Sequence, residues 1–466
     1  MIPDIQANSE DLMESTPSNF LTLLLILSFL HLSPANSPAR AATFLPEKSL
    51  PTKSGYLPVN GTSGSAIFFA FYEAQQLNSE ISKTPLLVWL QGGPGCSSMV
   101  GNFFEFGPWL VHSDPSDSKN PILKSNPGAW NRLFGLIFID NPIGTGFSIA
   151  TTEDEIPRDQ NSVAKHLFIA LQAFLSLNPS FKSRPLYITG ESYAGKYVPA
   201  IGYYILQQNL RLPASRRVNL QGVAIGNGLT DPATQVATHA VTAYYSGLIN
   251  ARQCDQLEEF QAEAVKLTRE GRWREATDAR SHVLDWLQNA TGLATLYDLR
   301  RKRPYETDMV DVLLQKEEVK AALGVKKGMV WEECSGVVGN ALHEDVMKSV
   351  KFMVEDLVKK SRVLLYQGQF DLRDGVVSTE AWMKEMEWDG LERFLSADRN
   401  VWKVNGEVSG YVQRWGSLTH VVVSGAGHLV PADQGLSSQA MIEDWVLERG
   451  LFGDEKTVVS SFRGAL

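Results

Sequence analysis

Residues 185–196 read PLYITGESYAGK, and this stretch decides the fold. Leu186, Tyr187, Ile188 and Thr189 make a short apolar run of the kind that forms a buried strand. Gly190, Ser192 and Ala194 follow, and Lys196–Gln208 then reads as a helix. A serine between small residues, where a strand passes into a helix, is a nucleophile elbow. The turn is so tight that only small neighbours fit, and it lifts the hydroxyl clear of the sheet edge. The strict G-x-S-x-G pattern is missed because Ala194 holds its last position, but alanine is still small. Gly190, Gly195 and Lys196 also come close to a phosphate-binding loop. Tyr197 argues against that reading, since it stands where Ser or Thr must ligand magnesium.

Outward from the elbow, short apolar runs alternate with helix-prone stretches, the pattern of an α/β domain with a largely parallel sheet. Strands are expected at Ser65–Tyr72, Pro85–Leu90, Gly135–Ile139, Pro185–Thr189, Gln221–Ile225, Arg362–Tyr366 and Thr419–Ser424. A helix is expected at Asn161–Leu177. After Asn227 the regularity breaks: about 231–350 is polar, charged and helix-prone, which predicts a helical cap inserted between two halves of the core, 42–230 and 351–466. Arg300-Arg301-Lys302-Arg303-Pro304 sits within it and reads as a solvated loop, with a protease-processing site as the alternative.

A serine needs a base, and the base needs an orienting carboxylate. On an elbow fold these follow in chain order after later strands. Arg362–Tyr366 leads to Asp371, and Thr419–Ser424 leads to the glycine-flanked His428. Ser192, Asp371 and His428 are therefore the expected triad. The oxyanion formed in acyl transfer needs two backbone N–H groups. Tyr193, after the serine, offers one. The glycine-dense loop Gln91-Gly92-Gly93-Pro94-Gly95 after Pro85–Leu90 is placed to offer the other.

The 466 residues carry 43 Lys and Arg against 52 Asp and Glu, a formal net charge of −9. That balance excludes the basic footprint of a nucleic-acid binder. No HExxH or Cys/His cluster points to a metal, and no cofactor is expected. Phe20–Leu32 is almost wholly apolar but, at thirteen residues, too short for a bilayer of roughly 20-residue span. It reads as the core of a signal peptide over residues 1–41, cleaved after small residues near Ala35 or Ala41, so the mature protein holds no membrane span. The preceding 1–19 has no Lys or Arg and four acidic residues, unlike a signal n-region. A start at Met13 would shorten it. Sequons at Asn60 and Asn289 agree with a secretory route. Three cysteines are too few for a disulfide scaffold.

Four segments carry a resemblance: QGGPGCSS at 91–98, WNRLFGLIFIDNPIGTGFS at 130–148, GESYAGKYVPA at 190–200 and GAGHLVPADQ at 425–434. Together they resemble the serine carboxypeptidase family. The resemblance implies an α/β-hydrolase fold, the same triad, oxyanion donors at Gly93 and Tyr193, and peptide or protein C-termini as substrates in a secreted, vacuolar or lysosomal setting. It also implies that Gln91, Gly92, Glu105 and Glu191 hold the substrate's free carboxylate. Cys334, in WEECS, resembles the family segment that pairs with the oxyanion loop, which implies a Cys96–Cys334 disulfide and leaves Cys254 free or intermolecular. Four positions depart from the family's usual pattern: Gln91 replaces Asn, Gln369 an Asp, Asp374 a Cys and Leu429 a Met.

Without Arg or Lys in these loops, two ionised glutamates beside a substrate carboxylate would repel it. At least one is expected to hold a proton, which favours acidic pH. The alternative functions are a carboxypeptidase-like acyltransferase using glucose-ester donors and a non-catalytic binding or chaperone homologue. Glu191 favours the peptidase, because many acyltransferase relatives have Asp there.

Overall fold

The computed structural model describes residues 46–453. The segment read as a signal peptide, Phe20–Leu32 and the small residues after it, lies outside the described residues. Among those described, no helix is long and apolar enough to cross a membrane.

The described residues form twelve strands: β1 (Lys53–Pro58), β2 (Ala66–Tyr72), β3 (Leu86–Leu90), β4 (Trp109–Ser113), β5 (Pro121–Ser125), β6 (Gly135–Ile139), β7 (Leu186–Glu191), β8 (Leu220–Gly226), β9 (Arg362–Gly368), β10 (Asn400–Val404), β11 (Glu407–Trp415) and β12 (Leu418–Val423). Ten of them join one sheet in the order β1-β2-β6-β3-β7-β8-β9-β12-β11-β10, and β4 and β5 make a separate hairpin. The six central strands, β6 to β12 in that order, are parallel. Antiparallel pairs close both edges.

All seven strands expected from apolar runs are present to within two residues. Five strands carry no such run: β1, β10 and β11 toward the edges of the sheet, and β4 and β5 in the separate hairpin, all of them half-exposed. The central strands are buried on both faces, as parallel sheets require. Their alternate residues feed two cores. Leu86, Val88, Ile188 and Val363 face one, with the helices α1 (Gln160–Ser176) and α2 (Ala194–Arg211) packed over it. Leu87, Trp89, Tyr187 and Tyr366 face the other.

Between β8 and β9 the chain forms only helices and loops, from Pro232–Val236 to Lys351–Val358. The two longest, Ala251–Arg269 and Trp273–Thr291, bury Leu257, Val283 and Leu287 in a third apolar cluster that also takes in Leu372, beside Asp371. Asn250 and Gln253 form a reciprocal capping box that starts the first of these helices. Cys96 and Cys334 are disulfide-bonded across 238 residues, tying this insertion to the loop after β3, while Cys254 is a free thiol. Both sequon asparagines, Asn60 and Asn289, are exposed.

Candidate active site

Ser192, Asp371, His428 and the loop 91–95 all follow the carboxyl ends of parallel strands, β7, β9, β12 and β3. Ligands gather at that edge in open α/β sheets. The elbow is visible in the backbone. Ser192 has φ +60°, a left-handed conformation that a non-glycine residue keeps only when its surroundings enforce it. Here its N–H donates to Gly226 O at 3.0 Å, and its carbonyl accepts from Gly195 N and Leu229 N, both at 2.9 Å. The small neighbours are explained by contact: a Cβ on Gly190 would sit 2.5 Å from Leu90 O, and one on Gly195 2.6 Å from Leu229 N.

His428 Nδ1 lies 2.8 Å from Asp371 Oδ2, with both side chains buried. The Asp371 carboxylate also accepts from Asn227 Nδ2 at 2.7 Å and from the backbone N–H of Arg373 at 2.8 Å. Its orientation is thus fixed from three sides. Among the described residues His428 Nε2 has no hydrogen-bond partner, and it shares a cleft with Ser192. Asp374, three residues beyond Asp371, is buried against Arg280 (3.5 Å) and Arg373 (3.7 Å). Burial raises its carboxyl above the usual range, and the two guanidinium groups oppose that rise.

The loop after β3 leans directly on the elbow. A Cβ on Gly92 would stand 2.6 Å from Tyr193 N and 2.7 Å from Ser192 Cβ, so only glycine allows this approach. Among the described residues the N–H groups of Gly93 and Tyr193 donate to no protein acceptor, which leaves two donors beside the serine.

Gln91, Glu105 and Glu191 form a buried cluster. Gln91 Nε2 donates to Glu191 Oε1 at 2.8 Å and Glu105 Oε1 at 3.2 Å, while its Oε1 accepts from the Trp89 indole at 2.7 Å. The longer glutamine arm is therefore fully used in holding the two acids, rather than left free for a ligand. Burial first, and then the neighbouring carboxyl, raise Glu191 well above the ordinary carboxylate range. Glu105 is raised mainly by burial, against the hydrogen bonds from Gln91 and Glu191. Each keeps one buried oxygen, Oε2, without a partner. Glu191 reaches the cleft, a cavity of about 210 Å³ also lined by Gln91, Gly92, Ser192, His428 and Leu429. Glu105 stands behind it.

Lys196, part of the rejected phosphate-loop pattern, has a structural task. Its ammonium is buried, 3.0 Å from Asp345 Oδ2 and 2.6 Å from Lys348 O. Tyr193 Oη and Gln160 Nε2 meet the same Asp345 oxygen, each at 2.7 Å. Burial draws Lys196 down to about 8 against the pull of Asp345. One cap carboxylate thereby anchors the side chain of the residue that follows the serine. The Arg300–Arg303 run is only partly a solvated loop. Arg300 pairs with Asp298 at 2.7 Å and stacks over Phe370 at 4.1 Å, and Arg301 reaches Asp433 at 3.4 Å, while Lys302 and Arg303 are exposed.

The residues named from the sequence for the triad, the oxyanion donors and the carboxylate cluster thus come together at one edge of the sheet, whereas Asn60 and Asn289 lie apart on the surface. Asn227, Asp345 and Tyr297, the last stacked on His428, were not named. Asn227 had a signal, since it follows β8 between two glycines; the others lie in the cap, where no local pattern marks them.

A parallel sheet with a serine elbow and a buried Asp–His pair on later strands defines an α/β-hydrolase with a serine-nucleophile constellation. A family model described as "Serine carboxypeptidase" matches residues 44–448, and the chain belongs to the serine carboxypeptidase family. It is similar to "Serine carboxypeptidase-like 50" of Arabidopsis thaliana, with 58% identity over 94% of this chain and 98% of that one. It is also similar to "Probable serine carboxypeptidase CPVL" of Homo sapiens, with 33% identity over 87% and 85% of the two chains. Among solved structures it resembles a prohormone-processing carboxypeptidase from Saccharomyces cerevisiae, Kex1Δp. The TM-score is 0.77 and the identity 26%, covering 86% of this chain and 93% of that one.

Proposed function

We propose that the protein removes single residues from the C-termini of peptides through an acyl-enzyme on Ser192, most effectively at acidic pH. Ser192 Oγ attacks the last peptide carbonyl and passes its proton to His428 Nε2, with Asp371 holding the imidazole by Nδ1. The oxyanion takes hydrogen bonds from Gly93 N–H and Tyr193 N–H. His428 returns the proton to the leaving amine, and water then repeats the sequence on the ester.

The observation that carries this reading is the pair of buried carboxyls, Glu105 and Glu191, beside the serine. An ordinary esterase has no use for two acids buried at its cleft, one on the wall and one behind it, with no cation paired to either among the described residues. Protonated, Glu191 can donate from its unpartnered Oε2 to a substrate carboxylate, and Gly92 N–H adds a second donor. Leu429 lines the same cleft, where it would border the side chain of the departing residue. Activity favoured by acid fits an acidic compartment of the secretory route, which the exposed sequons also suit.

The test is acid-quenched intact mass spectrometry with an ester substrate, followed by partition of the acyl group. An adduct on Ser192, lost in Ser192→Ala and discharged to water, supports the peptidase. Discharge mainly to an added hydroxyl acceptor, with a glucose ester as the preferred donor, would replace it with the acyltransferase. No adduct at all would leave a non-catalytic binding protein.

A further inference from the structure

One short cap segment, Leu296–Arg300, crosses both catalytic loops. Leu296 O accepts from Leu372 N at 3.0 Å and Leu299 N donates to Phe370 O at 3.1 Å, on either side of Asp371. Tyr297 O accepts from His428 N at 2.7 Å, and Arg300 reaches Gly425 O at 3.0 Å. The approach is close enough to require glycine: a Cβ on Gly427 would lie 2.4 Å from Tyr297 O. Within this segment the Tyr297 ring lies on the His428 imidazole, centroids 4.3 Å apart and planes within 12°. Arg373 stands 5.3 Å from the same tyrosine ring.

We propose that Tyr297 is a positioning residue for His428, its ring face holding the imidazole on Asp371 and stabilising the imidazolium formed when Ser192 gives up its proton. The inference rests on the triad reading above. Its physical basis is that an aromatic face attracts a cation stacked on it, and more strongly where water is excluded. The attraction grows as His428 gains charge, so it acts on the transition state rather than on the resting enzyme. Asp371 and Asp374 on one loop and Arg373 beside them set the remaining charge around the ring. They are common to every variant compared below.

Tyr297 also lines the cleft, so the test must separate wall from positioner. A small fluorophosphonate reports on Ser192 and His428 without needing a C-terminal side chain or carboxylate. Tyr297→Leu should slow labelling about 10-fold and lower kcat similarly, while Tyr297→Phe, which keeps the ring, should stay within about 2-fold of wild type. Tyr297→Met provides a second ringless variant should Leu not fold, with thermal unfolding checked for each. Wild-type labelling in a folded ringless variant, with only KM for peptides changed, would make Tyr297 a wall and overturn the proposal. So would a Phe variant as slow as Leu. Labelling that survives in a Ser192→Ala control would instead strike at the triad reading itself.

Discussion

Replacing Gly92 by alanine perturbs the site by one methyl group whose position is known. The new Cβ would meet Tyr193 N at 2.6 Å, Ser192 Cβ at 2.7 Å and Glu191 O at 2.8 Å. Three contacts, two of them to backbone, fall short of an ordinary 3.4 Å separation, the closest by about 0.8 Å. None can be relieved by turning a flexible side chain, so the β3 loop and the elbow must part by that distance. Gly93 N–H would move with the loop, away from the oxyanion that Tyr193 N–H still faces. A displacement approaching 1 Å costs about 100-fold in turnover, and overpacking of this kind costs about 1–3 kcal/mol of stability. The expected result is kcat lowered about 100-fold on a blocked dipeptide, with slowed fluorophosphonate labelling and a modest fall in Tm. Gly61→Ala, where a Cβ meets nothing within 4 Å, serves as the control and should behave as wild type. Gly92→Ala with wild-type kcat would refute the claim that this loop is fitted to the elbow and supplies an oxyanion donor.

Glu191→Gln makes a neutral donor that does not titrate. Burial and Glu105 raise the Glu191 carboxyl, so it stays protonated through acidic pH and ionises only above the usual carboxylate range. KM for free-acid peptides should therefore rise with pH in the wild type and flatten in the variant, as pH–rate profiles would reveal. The same raised groups lower stability as pH climbs from the unfolded value of about 4.3 toward the folded one, because the unfolded chain then holds fewer protons. Thermal melts should show a slope that Glu191→Gln reduces. Breaking Cys96–Cys334 opens a 238-residue separation; the loop-entropy model puts the loss at about 5 kcal/mol, while Cys254→Ser should leave the denaturant midpoint unchanged. Lys196→Met strands Asp345 in the interior and should cost about 3–5 kcal/mol in denaturant unfolding, whereas an unchanged midpoint would remove Lys196 from the elbow's support.

The parts of this protein legible in sequence are those governed by local rules. β3, β6 and β7 are written as continuous apolar runs because both of their faces are covered. The elbow is written as small residues around Ser192 because the turn admits nothing larger. Edge strands escape such reading: β10 and β11 alternate irregularly, with Val401 and Val408 exposed, so neither period 2 nor an apolar run appears. The site shows the same division. Asp371 and His428 stand just past strand ends, where chain order predicts them. Tyr297 and Asp345 reach the site from helical connections whose path is set by tertiary packing. Their pairing partners lie roughly 130 to 190 residues away in sequence, and no local signal carries that information. Gln91 illustrates a third case: its residue type suggested a free amide donor, but the extra methylene lets it reach both glutamates, and its hydrogens are consumed there.

The central claim is that Ser192 and the Glu105–Glu191 pair act together on a free C-terminus. The most direct measurement presents purified protein with two versions of one blocked dipeptide, ending in a free acid and in an amide. Release of the terminal residue is followed by mass spectrometry from acidic to mildly alkaline pH. The free acid should be cleaved much faster than the amide in acid, its advantage should shrink as pH rises through a change in KM, and Ser192→Ala should release neither product. Equal cleavage of acid and amide at every pH, or release that persists in Ser192→Ala, would contradict this claim.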